Sequence, residues 1–97
     1  MKTQFTWDKQ KATTNLQKHQ ISFDVAIRVF ADPFALTAQD RIENGEYRWQ
    51  TIGRIEGCLI LLVVHTIVED DNTETIRIIS ARRVDSKERK RYEEFNR

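Results

Sequence analysis

The sequence predicts an α+β domain in which helices pack on an antiparallel meander sheet of about four strands, preceded by a short N-terminal strand. Three observations lead there. Apolar residues recur at helical spacing up to Phe30, the period changes to two after Pro33, and turn signals at Asn44-Gly45 and Glu56-Gly57 divide the rest into strand-length runs. With 97 residues the chain makes one domain, residues 1–97, that buries only about two thirds of its unfolded surface.

After an extended start at Gln4 to Trp7, Asp8 stands at an N-cap position and predicts a helix from Lys9 to about His19, with Ala12, Asn15, Leu16 and His19 on one half-polar face. Ser22 caps a second helix whose apolar stripe is Phe23, Ala26, Ile27 and Phe30, with Ile21 as a staple. Asp32-Pro33 ends it, because the proline ring pushes the preceding residue out of the helical region. Phe34, Leu36 and Ala38 then alternate toward the hairpin at Asn44-Gly45. The return strand sets Tyr47, Trp49, Thr51 and Ile55 on one face and Glu46, Arg48 and Gln50 on the other. The run CLILLVVHTIV is apolar on both faces and marks a central strand, with Cys58 as a small core residue; TIRIISARR pairs beside it. Asp85-x-x-Glu88 has the form of a capping box, opening a helix from Lys87 to Asn96 with Arg89–Glu93 and Lys90–Glu94 pairs.

Composition excludes several classes. Hydrophobic residues make up 39% and charged residues 32%, with three Gly and one Pro, which describes a folded chain. The apolar run Cys58 to Val64 is far short of the roughly 20 residues of a membrane span, and the first ten residues lack the apolar core of a signal peptide, so the expected compartment is the cytoplasm and no membrane partner is expected. A net charge of +1 hides an uneven distribution. Residues 1–19 hold four lysines against one aspartate, residues 82–97 hold seven cations against four acids, and the middle holds five cations against ten acids. If the two ends meet in space, they form a basic surface suited to phosphates.

Two histidines and one cysteine have no metal-ligand spacing, and neither a Gly-rich loop nor a Ser-His-Asp order appears, so no metal and no cofactor is expected. What remains is a set of cations on or beside strands. Arg77, in an apolar strand, must find a carboxylate or line a wet cleft. Arg82 and Arg83 end that strand on opposite faces and suit a phosphate. Glu46 and Arg48 share a face two residues apart, so they either address one ligand or neutralise each other. Lys18 and His19 end a helix whose negative pole favours the protonated imidazole. His65 is expected to be a core histidine bonded to a backbone carbonyl. The aromatics Trp7, Tyr47, Trp49 and Tyr92 are expected in the core rather than stacked on bases.

Four motifs occur together in order: WDxxKxxxNxxKH (Trp7, Asp8, Lys11, Asn15, Lys18, His19), GExR (Gly45, Glu46, Arg48), RIISAR (Arg77 to Arg82) and ERKRY (Glu88 to Tyr92). The set spans nearly the whole chain and resembles the BrnT family of toxins. The resemblance implies a RelE-like fold, ribonuclease activity that inhibits translation and growth, and neutralisation by a BrnA-like ribbon-helix-helix antitoxin in a heterotetramer or larger complex. Operator DNA would be bound only through the antitoxin. One departure is Gln20, where the family usually has Gly; a left-handed helix exit there would cost about 1 kcal/mol.

Cation set and resemblance together predict metal-independent RNA cleavage, in which a ribose 2′-hydroxyl attacks the adjacent phosphate. Arg48 and Arg82, supported by Arg77, are expected to stabilise the phosphorane, His19 or Glu46 to transfer protons, and Lys11, Lys18 and Arg83 to hold RNA. This scheme expects the arginines to converge with the first helix on one pocket, which the antitoxin would cover. A binding module without catalysis, acting mainly as co-repressor, is the rival reading. Direct DNA binding is disfavoured, because no basic recognition helix is evident.

Overall fold

The computed structural model describes residues 1–96. In chain order the elements are β1 (Lys2–Trp7), α1 (Lys9–His19), α2 (Phe23–Ala26) running into a 3-10 turn (Ile27–Ala31), β2 (Leu36–Glu43), β3 (Glu46–Glu56), β4 (Leu59–Asp70), β5 (Thr73–Arg83) and α3 (Ser86–Phe95). The five strands form one sheet in the order β1-β5-β4-β3-β2. The last four make the expected antiparallel meander, and β1 joins its outer edge parallel to β5, from Lys2 beside Thr73 to Trp7 beside Ile78. No helix among the described residues is long and apolar enough to cross a membrane.

Helix ends fall where the side chains dictate. The Asp8 carboxylate accepts the Lys11 amide at 2.9 Å and the Ser22 hydroxyl accepts that of Val25 at 3.2 Å. Asp85 and Glu88 complete the capping box at 2.8 and 2.9 Å. Gln20 takes the left-handed conformation, φ 58° and ψ 28°, that the absent glycine would favour. Its amide donates to Leu16 O at 2.9 Å and its side chain donates to Gln17 O at 3.0 Å, so two hydrogen bonds offset the strain. The second helix turns tighter than expected. A 3-10 winding repeats every three residues, so Phe23, Ala26 and Val29 are the buried line, with Ile27 and Phe30 only partly covered.

β4 is central and buries both faces. Leu61 and Val63 join Ile21, Phe23, Ala26, Val29, Ile76, Ile78 and Ala81 under α1 and α2, while Ile60 and Leu62 join Ile52 and Tyr92 under α3. The helix-bearing face needs a close approach at Gly53, where a Cβ would lie 2.8 Å from that of Val29. Several expectations are corrected. α1 and α3 lie on opposite faces, so the two basic ends do not merge into one surface. Ala38 and Tyr47 are exposed, because β2 is an edge strand and no helix covers its far end, and Phe34 is exposed in the segment before β2. Cys58 is exposed in the β3–β4 turn rather than in the core. Arg89 donates to Cys58 O at 2.9 Å instead of pairing with Glu93, whereas the Lys90–Glu94 pair is present at 3.9 Å.

Candidate functional site

A bulge decides which cations share a face. Along β5, Ile78 pairs with His65 and Ser80 with Val64, so Ile79 is an extra residue and the alternation slips by one. Strict alternation would set Arg77 and Arg82 on opposite faces. With the bulge, Arg77 (beside Thr66), Ser80 (beside Val64) and Arg82 (beside Leu62) all project from the α3 side of the sheet. Arg83, beside Leu61, points to the other side, so the opposition of Arg82 and Arg83 holds. On β3, register places Glu46 and Arg48 on the same side as Gln50 and Ile52, hence on the face of Arg77.

Of the arginines on that face, Arg48, Arg77 and Arg82 are each held by acids. Arg77 Nη2 donates to both Glu46 oxygens at 2.7 and 2.8 Å, reaching across β4. Arg48 lies 3.1 Å from Glu43 and 3.8 Å from Glu46, so Glu46 serves two guanidinium groups. Arg48 is only 8% exposed and its buried Nε has no acceptor. An unsatisfied buried donor costs about 1–3 kcal/mol, so this group gains by meeting a further acceptor. Arg82 makes a two-pronged pair with Glu88 at 2.8 and 2.8 Å, and Glu88 also caps α3. That hydrogen bonding raises the pKa of Arg82 and lowers that of Glu88.

The α1 residues lie elsewhere. Lys11, Lys18 and His19 line a cleft of about 480 Å³ between α1 and β5, together with Asn15, Ile79 and Ser80. Arg48, Arg77, Arg82 and Glu46 are not in its lining, so the expected single pocket is two sites on either side of the β5 edge. Of the two candidates for proton transfer, Glu46 touches the arginines and His19 lies in the α1 cleft. Arg83 is exposed, and its carbonyl accepts from Arg82 at 3.2 Å.

His65 is a core residue, as expected. Its Nε2 is 2.8 Å from Thr51 Oγ1, which is 2.8 Å from Thr37 Oγ1, and its Nδ1 faces Thr66 O at 3.4 Å. Burial, only slightly opposed by that carbonyl, lowers its pKa to about 4, so it is neutral at neutral pH. Trp7 packs edge-on against Phe23 and Tyr92 is buried, as core aromatics should be. Three residues were given no place in the site by sequence reasoning. Glu43 carries no local signal, Ser80 is placed by the bulge, and Asn15 was read as part of a half-polar helix face and of the first motif, with no role of its own.

A small mixed sheet with helices on both faces is also the fold of a solved ribonuclease toxin. The structure superposes with a TM-score of 0.62 on the crystal structure of the Brucella abortus ribonuclease toxin BrnT, at 23% identity, covering 89% of this chain and 100% of that one. No curated protein sequence matches. Residues 7–88 match the family of BrnT ribonuclease toxins of type II toxin-antitoxin systems, and the chain belongs to that family.

Proposed function

We propose that this chain is an endoribonuclease that cleaves RNA by metal-independent transesterification and so inhibits translation and growth, until a BrnA-like ribbon-helix-helix antitoxin neutralises it. The observation that carries this is the carboxylate of Glu46 held between Arg77 and Arg48, with the Arg48 Nε left without an acceptor. In the reaction the 2′-oxygen bonds to phosphorus and its proton passes to Glu46. The phosphorus–O5′ bond breaks, leaving a 2′,3′-cyclic phosphate and a 5′-hydroxyl. A carboxylate shared with two guanidiniums suits this step. Protonating Glu46 removes the negative charge that holds Arg77 and Arg48, so their charge becomes available to the phosphorane as it gains its own. Arg82, oriented by Glu88, supports the same face. Protonation of the leaving oxygen falls to solvent water, since Glu46 holds the 2′ proton and His19 lies across the β5 edge in the α1 cleft.

The test is cleavage of single-stranded RNA in EDTA. Glu46→Gln keeps the shape of the network and is expected to slow cleavage by about 10²–10⁴-fold, and Arg48→Ala or Arg77→Ala by about 10²-fold or more. A 2′-deoxy sugar at the cleaved position should abolish product. Wild-type rates in Glu46→Gln, or cleavage of the deoxy linkage, would refute the assignment. One observation favours the rival binding-only reading, namely that all three arginines are already paired with acids. It expects intact RNA that is shifted but never cut.

A further inference from the structure

The α1 cleft takes no part in the bond-breaking step above, yet it is a large concavity, and it adjoins the reaction face. We infer that it is a nucleotide subsite, holding the residue next to the cleaved linkage with that residue's phosphate among Lys11, Lys18 and His19; this rests on the RNA-cleavage reading. Four features support it. First, about 480 Å³ falls within the size range of sites that enclose a small ligand. Second, these side chains are uncommitted: among the described residues Lys11, Lys18 and His19 enter no ion pair, and the acid beside them, Asp8, is used as the cap of α1. Third, Ser80 belongs to both places. It lines the cleft, and the Ile79 bulge puts it between Arg77 and Arg82 on the reaction face, roughly 10 Å of strand at 3.3 Å per residue from Arg77. A polynucleotide leaving the arginine face over Ser80 therefore enters the cleft directly.

Fourth, the edge itself favours a nucleotide over a peptide. β1 ends beside Ile78, so beyond that point β5 has no outer strand and could have accepted one. Asn15 prevents this. Its side-chain amide donates to Ala81 O at 2.9 Å and accepts the Ala81 N–H at 3.0 Å, occupying the two backbone groups that an added strand would need. What stays open is cationic side chains and the apolar Ile79, which suit a phosphate and the face of a sugar or base.

The experiment is amide-shift NMR of the full chain with RNA di- and trinucleotides carrying a 2′-deoxy sugar at the cleaved linkage. The dinucleotide is expected to move the amides around Glu46, Arg48 and Arg77 only. The trinucleotide, extended on one side or the other, should also move Lys11, Lys18, His19 and Ser80. The exposed Lys11→Glu and Lys18→Glu changes should each weaken trinucleotide binding by about tenfold, the loss expected for one charged hydrogen bond, and reduce the salt dependence by about 0.7 of a counterion. If both trinucleotides move the sheet-face amides and leave the cleft unmoved, the subsite is refuted and the cleavage reading stands. If neither RNA moves either set, both fall. Movement of the cleft amides on adding the antitoxin, with none on adding RNA, would overturn the inference in favour of a protein ligand.

Discussion

At the residue scale, His65 shows how burial sets chemistry. It is 1% exposed, and its edges are met by Thr51, Phe30 and the Thr66 carbonyl, none of which stabilises a cation strongly. If Nδ1–H donates to Thr66 O, Nε2 accepts from Thr51, whose oxygen then accepts from Thr37, so the chain of hydroxyls fixes the neutral tautomer. The folded pKa of about 4 lies below the ordinary 6.5, so the unfolded chain binds the proton more readily. Its contribution is therefore complete above pH 6.5 and is lost as pH falls toward 4. The expected loss is about 3 kcal/mol, from about 1.36 kcal/mol per pKa unit. Denaturant melts of wild type and His65→Gln at pH 7 and pH 4.5 check this. The wild type should lose more stability between the two, and equal losses would show that His65 does not titrate in the unfolded state alone. His65 was legible as a core residue because it follows an unbroken apolar run. Arg48 was not legible as buried, since its surroundings include Glu43, which only the hairpin brings beside it.

At the scale of elements, one side chain ties α1 to the backbone of β5 by hydrogen bonds. Asn15 is 5% exposed and makes three hydrogen bonds to backbone, to Ile21 O at 3.0 Å and to both polar groups of Ala81. Removing it leaves buried backbone groups without partners. Asn15→Ala is expected to lower stability by about 2–4 kcal/mol, read as a reduced denaturant midpoint at an unchanged slope. A loss under 0.5 kcal/mol would mean that water replaces the amide. The helix caps were readable from sequence because Asp8, Ser22 and the Asp85–Glu88 box act within three residues of themselves. Leu16 shows the opposite case: apolar and correctly phased, it is 50% exposed, while its polar neighbour Asn15 is buried. Helical periodicity names a face, but the partner strand decides which residue of that face it needs.

For the whole molecule, one sheet carries two cores that meet only through the strands. Leu61, 0% exposed, reports the α1–α2 side, and Leu62, 2% exposed, the α3 side. Since both sit on β4, the cores are expected to melt together. Leu61→Ala and Leu62→Ala should each cost about 2–5 kcal/mol and shift one common transition, seen alike by far-UV circular dichroism and tryptophan fluorescence. Separate transitions for the two variants would mean that α3 unfolds independently. This two-sided arrangement also explains why the expected single pocket becomes two. α1 occupies one face and the arginines the other, and they approach only where β5 outruns β1.

The amino-acid sequence by itself determined the α+β class, the meander, the central place of β4, the ends of the helices and the family motifs, because caps, turns and alternation are governed by residues a few positions apart. The tertiary structure decided that β1 joins parallel to β5, that Glu46 reaches over β4 to Arg77, and that Asn15 seals the sheet edge. It also decided, through the bulge at Ile79, that Arg77 and Arg82 share a face. Each of these depends on registers between segments far apart in the chain, where a slip of one residue reverses every side chain and leaves the local pattern unchanged.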